Sequence, residues 1–369
     1  MTTIDRHIVK TFLSGYLILL LLGIGLYVFS DVLVNLDEYT EDPNLSGLEV
    51  LGRIIDFHGY KLPLYFHQLG GVMMAIAAAF TFAVMLRNNE LTPLAAAGVP
   101  LQRLAVPVLL CATGLIGLWL VNSEIIIPTY AAKIARTDDD LINTRQVEVL
   151  CVRDDNKAIL KAGELHAAEG WLRNVYIIEP DAQGNPLHLI RADAAVYRPD
   201  PDNPEKHTWV LDRGARLVVD SNFESGELGE AARWESLTEY PFTLAPDQIL
   251  LRQSSQWAEL MSFRQMNRLL QTHNLPNLPA VAKARDVRFC QPLLTGILIV
   301  LAIPYFLSRE PTNVLVAGGK ALLLTGSCYG FSFLAHSMST DPANTQLAAA
   351  LPVLVFGPVA VLYLANVKT

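Results

Sequence analysis

The sequence predicts a polytopic α-helical membrane protein: six transmembrane helices, arranged three plus three, around an inserted all-β, jellyroll-like domain. Three observations predict it. The 369-residue chain is 51% hydrophobic and only 17% charged, against about a quarter charged in soluble globular proteins. Six stretches, 12–30, 62–86, 104–123, 289–308, 321–340 and 342–367, contain no Asp, Glu, Lys or Arg, and about 20 helical residues cross a hydrocarbon core about 30 Å thick. Between the third and fourth stretches lies a polar region whose apolar residues follow the β period.

The first run follows Asp5, Arg6 and Lys10, as a secretory signal would. It is too long for a signal h-region and ends without a small-residue cleavage site, so it reads as an uncleaved first span. Ser46-Gly-Leu-Glu49 has capping-box spacing, with Leu48, Leu51 and Ile55 on one helical face, and predicts a small interfacial helix before span two. After span two, Asn88 or Asn89 is placed to cap a short helix over 89–98, which Gly98 and Pro100 end. Residues 1–125 thus form the first three spans. With six spans in all, the termini and the 87–103 loop share one side of the membrane.

The region 126–261 is the expected β domain, on the opposite side. Residues 146–152 alternate, with Val147, Val149 and Cys151 on one face. The runs 171–178 and 187–190 are separated by the turn cluster Asp181-Ala-Gln-Gly-Asn-Pro186, and 208–211 and 216–219 follow the Pro/Asp-rich loop 199–204. Short strands at regular spacing predict a sandwich or jelly roll rather than β-α-β units. Over 262–288 the pattern turns polar and helical, as a re-entry segment, and 289–369 carries spans four to six.

Charge and motif content exclude several functions. The net charge of −8 and the lack of a Lys/Arg tract leave nothing to hold nucleic acid. Residues 126–288 hold 19 Lys/Arg against 24 Asp/Glu, a net of −5. Cys111, Cys290 and Cys328 sit in or at the ends of spans and Cys151 stands alone, so no disulfide framework or C-x-x-C site is expected. Gly318-Gly-Lys-Ala321 lacks the spacing and the Ser/Thr of a phosphate-binding loop. No G-x-S-x-G or H-E-x-x-H occurs, the acidic run 138–140 reads as a solvated face, and Gly326-Ser-Cys-Tyr-Gly330 reads as small-residue helix packing. No catalytic or metal-ligating residue is expected, and the chain is not an enzyme. Ion-coupled transporters need ionisable groups near the midplane, whereas His67 and His336 lie near the span ends that face the polar domain. Any transport must therefore be driven by a partner. Arg6, Lys10, Arg87, Arg103, Arg309, Lys320 and Lys368 lie on the side of the termini, and charges beside a long translocated domain count for less, which makes that side cytoplasmic.

Ile4-Asp-Arg-His-Ile8, Asn89-Glu-Leu-Thr-Pro-Leu-Ala-Ala-Ala-Gly-Val-Pro100 and Asn122-Ser-Glu-Ile-Ile-Ile-Pro128, with the spacing of spans around the β domain, resemble the LptF/LptG permease family. The resemblance covers essentially the whole chain and leans slightly to the LptG side. It implies an exporter that extracts lipopolysaccharide, or a related amphipathic glycolipid, from the bacterial inner membrane. Two such permeases would form a V-shaped cavity over an LptB-like ATPase dimer. The β domain would be periplasmic and would pass lipid to an LptC/LptA-like bridge. No cofactor is expected in this chain, since ATP and Mg would be bound by the partner ATPase. Two departures stand out: Asp31, Asp37 and Glu38 at the outer end of span one, where relatives often carry basic residues, and Pro93 and Ala95 in the cytoplasmic helix. The alternative reading is a membrane-anchored scaffold without transport activity, against which six spans argue, since one suffices as an anchor.

Candidate site residues follow from this reading. Asn89, Glu90, Leu91, Thr92, Leu94 and Gly98 form the expected ATPase-coupling helix, with Leu91 and Leu94 seated in a groove of the ATPase and Glu90 making a charge-assisted contact. Lys133 and Arg136 after span three, with Lys283, Arg285 and Arg288 before span four, form an expected basic collar on the substrate path. There they would hold an anionic headgroup; ordinary interfacial snorkelling, or pairing with 138–140 and Asp286, is the competing use. The inward faces of 146–152, 171–178 and 208–211 line either an acyl-chain groove or a filled core.

Overall fold

The computed structural model describes residues 2–40, 46–135, 147–154, 156–167, 169–180, 186–199, 207–219, 232–253, 257–272, 278–307, 314–337 and 344–365. Helix α1, Thr3–Val34, starts in a capping box, in which Thr2 Oγ1 accepts the Asp5 N–H and Asp5 Oδ2 accepts the Thr2 N–H. The short α2, Leu36–Tyr39, follows it, and Tyr39 OH lies 3.2 Å from His58 Nε2. Ser46 and Glu49 form the expected capping box, but the helix it opens does not stop at the interface. It runs unbroken as α3, Gly47–Arg87, for 41 residues. At 1.5 Å per residue this is about 60 Å, twice the hydrocarbon thickness, so its first turns stand clear of the membrane on the β-domain side. Pro63 lies inside α3 without ending it. Side chains of the next span reach the α3 backbone just beyond: Asn122 Nδ2 donates to the Pro63 carbonyl and Trp119 Nε1 to the His67 carbonyl, both at 2.9 Å, as neighbouring helices do around intramembrane prolines.

Helices α4, Leu91–Ala96, and α5, Leu101–Val121, follow. The path of α5 continues through a π-turn, Asn122–Ile126, into α6, Ile127–Thr129, and then α7, Ala131–Ile134. The domain boundary expected at 125 therefore falls inside a helix. After the β domain come α8, Pro246–Gln253, α9, Phe263–Thr272, and α10, Leu278–Ala302. The expected re-entry segment 262–288 is thus not one unit, because its last eleven residues are the first turns of span four. The closing helices are α11, Val314–Ser337, and α12, Thr345–Ala365. Among the described residues six helical stretches are long and apolar enough to cross a membrane: Thr3–Val34, Gly47–Arg87, Leu101–Thr129, Pro279–Tyr305, Val314–Ser337 and Thr345–Ala365.

Spans two and four form the centre of the bundle, with 44% of their apolar windows buried, against 6% for span one and 17% for spans five and six. In lipid, helices associate through close packing rather than the hydrophobic effect, and small residues permit it. A Cβ on Gly71 would stand 2.8 Å from Thr295 Oγ1 and 3.5 Å from its Cγ2, but 3.8 Å from its Cβ. Gly71→Ala should therefore destabilise the bundle by about 1–3 kcal/mol, the usual range for overpacking. Adding Thr295→Ala, which removes both close atoms, should recover most of the loss in a thermal-unfolding assay. At the other end, Gln102 Nε2 donates to the carbonyls of Leu364 and Ala365 at 3.3 and 3.2 Å, satisfying acceptors that a helix end leaves open. His7 Nε2 lies 3.5 Å from Glu90 Oε2. Both contacts bring the 87–103 loop to the ends of the first and last spans, as an even number of crossings requires.

The inserted domain comprises β1 Val147–Arg153, β2 Ile159–His166, β3 Trp171–Pro180, β4 Pro186–Pro199, β5 His207–Asp212, β6 Ala215–Val219, β7 Ala232–Ser236 and β8 Glu239–Tyr240. All pairs are antiparallel and belong to one sheet, ordered β1-β2-β3-β4-β5-β8, with β6 bonded to β4 and β7. β5 and β6 occupy successive parts of the same edge of β4, at Ala194↔Asp212 and Arg191↔Ala215. They amount to one strand kinked at Arg213 and Gly214. Arg213 has φ +50°, and a Cβ on Gly214 would collide with the Leu237 carbonyl. Bulges also reset the faces. β1 shifts register twice, so Val149 and Val152 are buried while Cys151, at φ +50°, is exposed. The expected face of Val147, Val149 and Cys151 fails at Cys151, since one extra residue reverses the side-chain parity.

Candidate functional site

The termini-side loop begins at Asn89, whose φ of +54° turns the chain out of α3. Glu90 then precedes the six residues of α4, and Gly98, at φ +77°, closes the turn. The expected ten-residue helix is shorter for this reason: both ends take left-handed backbone, which Asn and Gly tolerate and a helix does not. Glu90 Oε1 accepts from Asn88 Nδ2 at 3.1 Å. Leu91 is 2% exposed and belongs to the core of the membrane half, with Leu94 packed against that core. Leu91 therefore packs into its own bundle rather than offering itself to a partner, while Leu94 is only partly covered. Within 89–98 the exposed residues are Asn89, Thr92, Pro93, Ala96, Ala97 and Gly98.

On the β-domain side the junction is built around Glu124, in the π-turn. Its Oε2 accepts the Phe263 N–H at 2.9 Å, at the start of α9, and its Oε1 lies 3.5 Å from Arg288 Nη1. A carboxylate is favoured at a helix N-terminus, and Ser262 and Gln265 complete this one as a capping box. The Arg288 guanidinium also donates to the carbonyls of Met261 and Glu259. One guanidinium thus joins span three, the returning turn 257–262 and span four. Glu124 was not among the expected site residues. Its signal was the first charge after the run 104–123, within the Asn122–Pro128 motif.

This arrangement disperses the expected basic collar. Arg288 is buried, its side chain 6% exposed, and is committed to the junction. Arg285 pairs with its neighbour, Nη2 at 2.7 Å and Nε at 2.9 Å from Asp286 Oδ1, and Asp286 Oδ2 accepts from Thr345 Oγ1 at 2.6 Å. Lys133 Nζ donates to Tyr60 OH at 3.0 Å and lies 4.3 Å from the centre of the same ring. Lys283 is half-buried, and Arg136, with the acidic run 138–140, lies outside the described residues. A guanidinium with two backbone carbonyls and a carboxylate in reach is held there, because leaving any of them bare inside the protein is costly.

One face of the sheet is filled. Val149, Val152, Leu172, Val175, Ile177, Trp209 and Leu211 form one buried cluster with Phe242, Leu244 and Ile249, which arrive from the segment after β8 and from α8. Trp209 Nε1 donates to the Leu244 carbonyl at 3.1 Å. Burial and the nearby carboxylates of Glu179 and Asp154 push the Tyr240 phenol well above its ordinary pKa, so it stays neutral at the edge of this core. Within the membrane half, spans two, four and five enclose an apolar groove of about 370 Å3, walled by Ala75, Ala79, Ala83, Phe306 and Gly318 with Thr325 among them. Among the described residues no group of three His, Cys, Asp or Glu is placed to hold a metal ion.

A family model described as "Lipopolysaccharide export system permease LptF/LptG" matches residues 6–366. No curated protein matches the chain.

Proposed function

We propose, from the premise that this chain belongs to the LptF/LptG family of lipopolysaccharide export permeases, that it is one permease subunit of an ABC exporter. The chain is a multi-pass inner-membrane protein of that export system. The observation that carries the reading is the extent of the match, from the first turns of span one to the last of span six, with the β domain between. In this reading the termini and α4 are cytoplasmic and the β domain is periplasmic. The chain pairs with a second LptF/LptG-type permease over an LptB-like ATPase dimer, which binds ATP and Mg. Lipopolysaccharide or a related glycolipid leaves the membrane on the β-domain side and passes to an LptC/LptA-like bridge. Lys133 and Lys283 stay with the substrate path, and Arg288 serves as the anchor of the junction. The test is reconstitution in proteoliposomes with the copurified ATPase and second permease. Lipopolysaccharide should stimulate ATP hydrolysis, and an assembly without ATPase, or one indifferent to lipid, overturns the reading.

Coupling then runs through the exposed face of α4. Ala96→Arg places a bulky charge on that face and should abolish stimulated hydrolysis while the permease stays in the membrane at its normal level. Leu91→Ala should act differently, lowering stability by about 2–4 kcal/mol through the cavity it leaves. If Ala96→Arg hydrolyses ATP normally, α4 is not the coupling element.

A further inference from the structure

Spans four and six part on the β-domain side around a cavity of about 390 Å3, lined by Phe263 of α9, Arg285, Asp286, Phe289 and Cys290 of α10, and Gln346 and Ala350 of α12. We propose that this cavity holds the phosphate headgroup of a bilayer glycerophospholipid, at a site separate from the path of the exported lipid. Arg285 supplies a charge-assisted donor. Two of its nitrogens rest on Asp286 Oδ1, and Nη1 has no partner among the described residues. Thr345 donates to the other oxygen of Asp286, so the ion pair is held in one geometry and the guanidinium edge that carries Nη1 is presented in a fixed plane as a hydrogen-bond donor. Two helices begin at the cavity, α9 at Phe263 and α12 one residue before Gln346. Their N-terminal amides and dipoles favour an anion, although Glu124 already takes the Phe263 N–H.

The level in the bilayer fits. Phe289 is the first residue of the charge-free run and is 69% exposed, an aromatic at the height where headgroups meet acyl chains. Arg285 lies one turn further out. One turn below the cavity, Leu293 on α10 and Leu354 on α12 are exposed, and they mark the track of an acyl chain. A cavity of this volume takes a single small ligand or headgroup, and what meets the flank of a bundle in a bilayer is bulk lipid. The inference needs only that the bundle is membrane-embedded and does not depend on its transport activity.

The experiment uses the full chain with whatever subunits copurify, in detergent, with Cys111, Cys151 and Cys328 replaced by serine so that Cys290 is the one thiol. Phosphatidylglycerol should slow maleimide labelling of Cys290 by about tenfold, the effect of one or two charge-assisted hydrogen bonds, and should remain bound in native mass spectrometry. Diacylglycerol, which lacks the phosphate, and inorganic phosphate, which lacks the chains, should do neither. Arg285→Gln should abolish both effects and Arg285→Lys should keep part of them. Ala350→Phe, which fills the cavity without touching the charge, should lose the bound lipid. Undiminished protection in Arg285→Gln, protection by inorganic phosphate alone, or protection by lipopolysaccharide but not phosphatidylglycerol overturns the proposal.

Discussion

Arg288→Ala destabilises the membrane half by about 3–5 kcal/mol, the range for breaking a buried pair from one side. The loss has two parts. The carbonyls of Met261 and Glu259 lose their donor; the buried Met261 carbonyl left bare costs about 1–3 kcal/mol, and the part-buried Glu259 carbonyl costs less because water reaches it. Glu124 loses its counter-charge, but its side chain is 33% exposed, so water takes over part of that interaction and it is the smaller share. Arg288→Lys should fall between, because an ammonium cannot meet three acceptors in the plane that a guanidinium spans. Glu124→Gln should cost less than Arg288→Ala, since the amide oxygen still accepts the Phe263 N–H. Glu124→Ala and Arg288→Ala together should cost less than their sum, as expected for contacting residues. Thermal unfolding in detergent reads the stabilities, and limited proteolysis over 254–277 reads whether the returning turn has come loose. An Arg288→Ala chain with unchanged midpoint and digestion pattern would show that the junction is held by packing alone.

Trp209→Ala destabilises the β domain by about 3–5 kcal/mol, the cost of removing a fully buried aromatic side chain. The ring is 2% exposed, lies 5.5 Å from that of Tyr197, and holds the segment after β8 through the Leu244 carbonyl. Its removal leaves a cavity under Phe242 and Leu244 and an acceptor without a donor. Trp209→Phe keeps most of the volume but not the N–H, and should cost about 1–2 kcal/mol. Urea unfolding followed by near-ultraviolet circular dichroism separates the three proteins. The same series bears on transport. If lipid enters the filled face, photo-crosslinkers at Val175 and Leu211 should capture more lipid in Trp209→Ala than in the parent chain, because the core must open first. Equal capture would place the lipid path elsewhere.

The 41-residue α3 shows why a capping box predicts where a helix starts and not where it ends: the cap is satisfied within four residues, while the end depends on what the next turns pack against. Leu91 reads as a docking residue in a loop because a six-residue helix has no evident inner face until the bundle beneath it is known. Arg288 reads as a headgroup ligand because its partners, Glu124, Glu259 and Met261, stand up to 164 residues away. Strands β2, β7 and β8 went unread. β7 and β8 are short and take their place from the kink at Gly214, which is stabilised across the sheet rather than along the chain.

What the sequence determined by itself is the membrane topology: six spans, both termini on one side, and a β domain between spans three and four. Placing a charged group in hydrocarbon costs several kcal/mol, and that penalty acts residue by residue, so it is written locally and at full strength. The runs 171–178 and 208–211 are legible as strands on the same footing, because β-branched and apolar enrichment is a local property, although the faces of 171–178 switch at Asn174, which has φ +52°. The tertiary structure alone decided which polar residues are structural. It placed Arg288 and Glu124 inside a junction, turned Leu91 inward, reversed the faces of β1 at its bulges, and covered one face of the sheet with Phe242 and Leu244. Each of these outcomes rests on a contact between distant parts of the chain, where a buried polar group or an apolar side chain must find a partner that no neighbouring residue can supply.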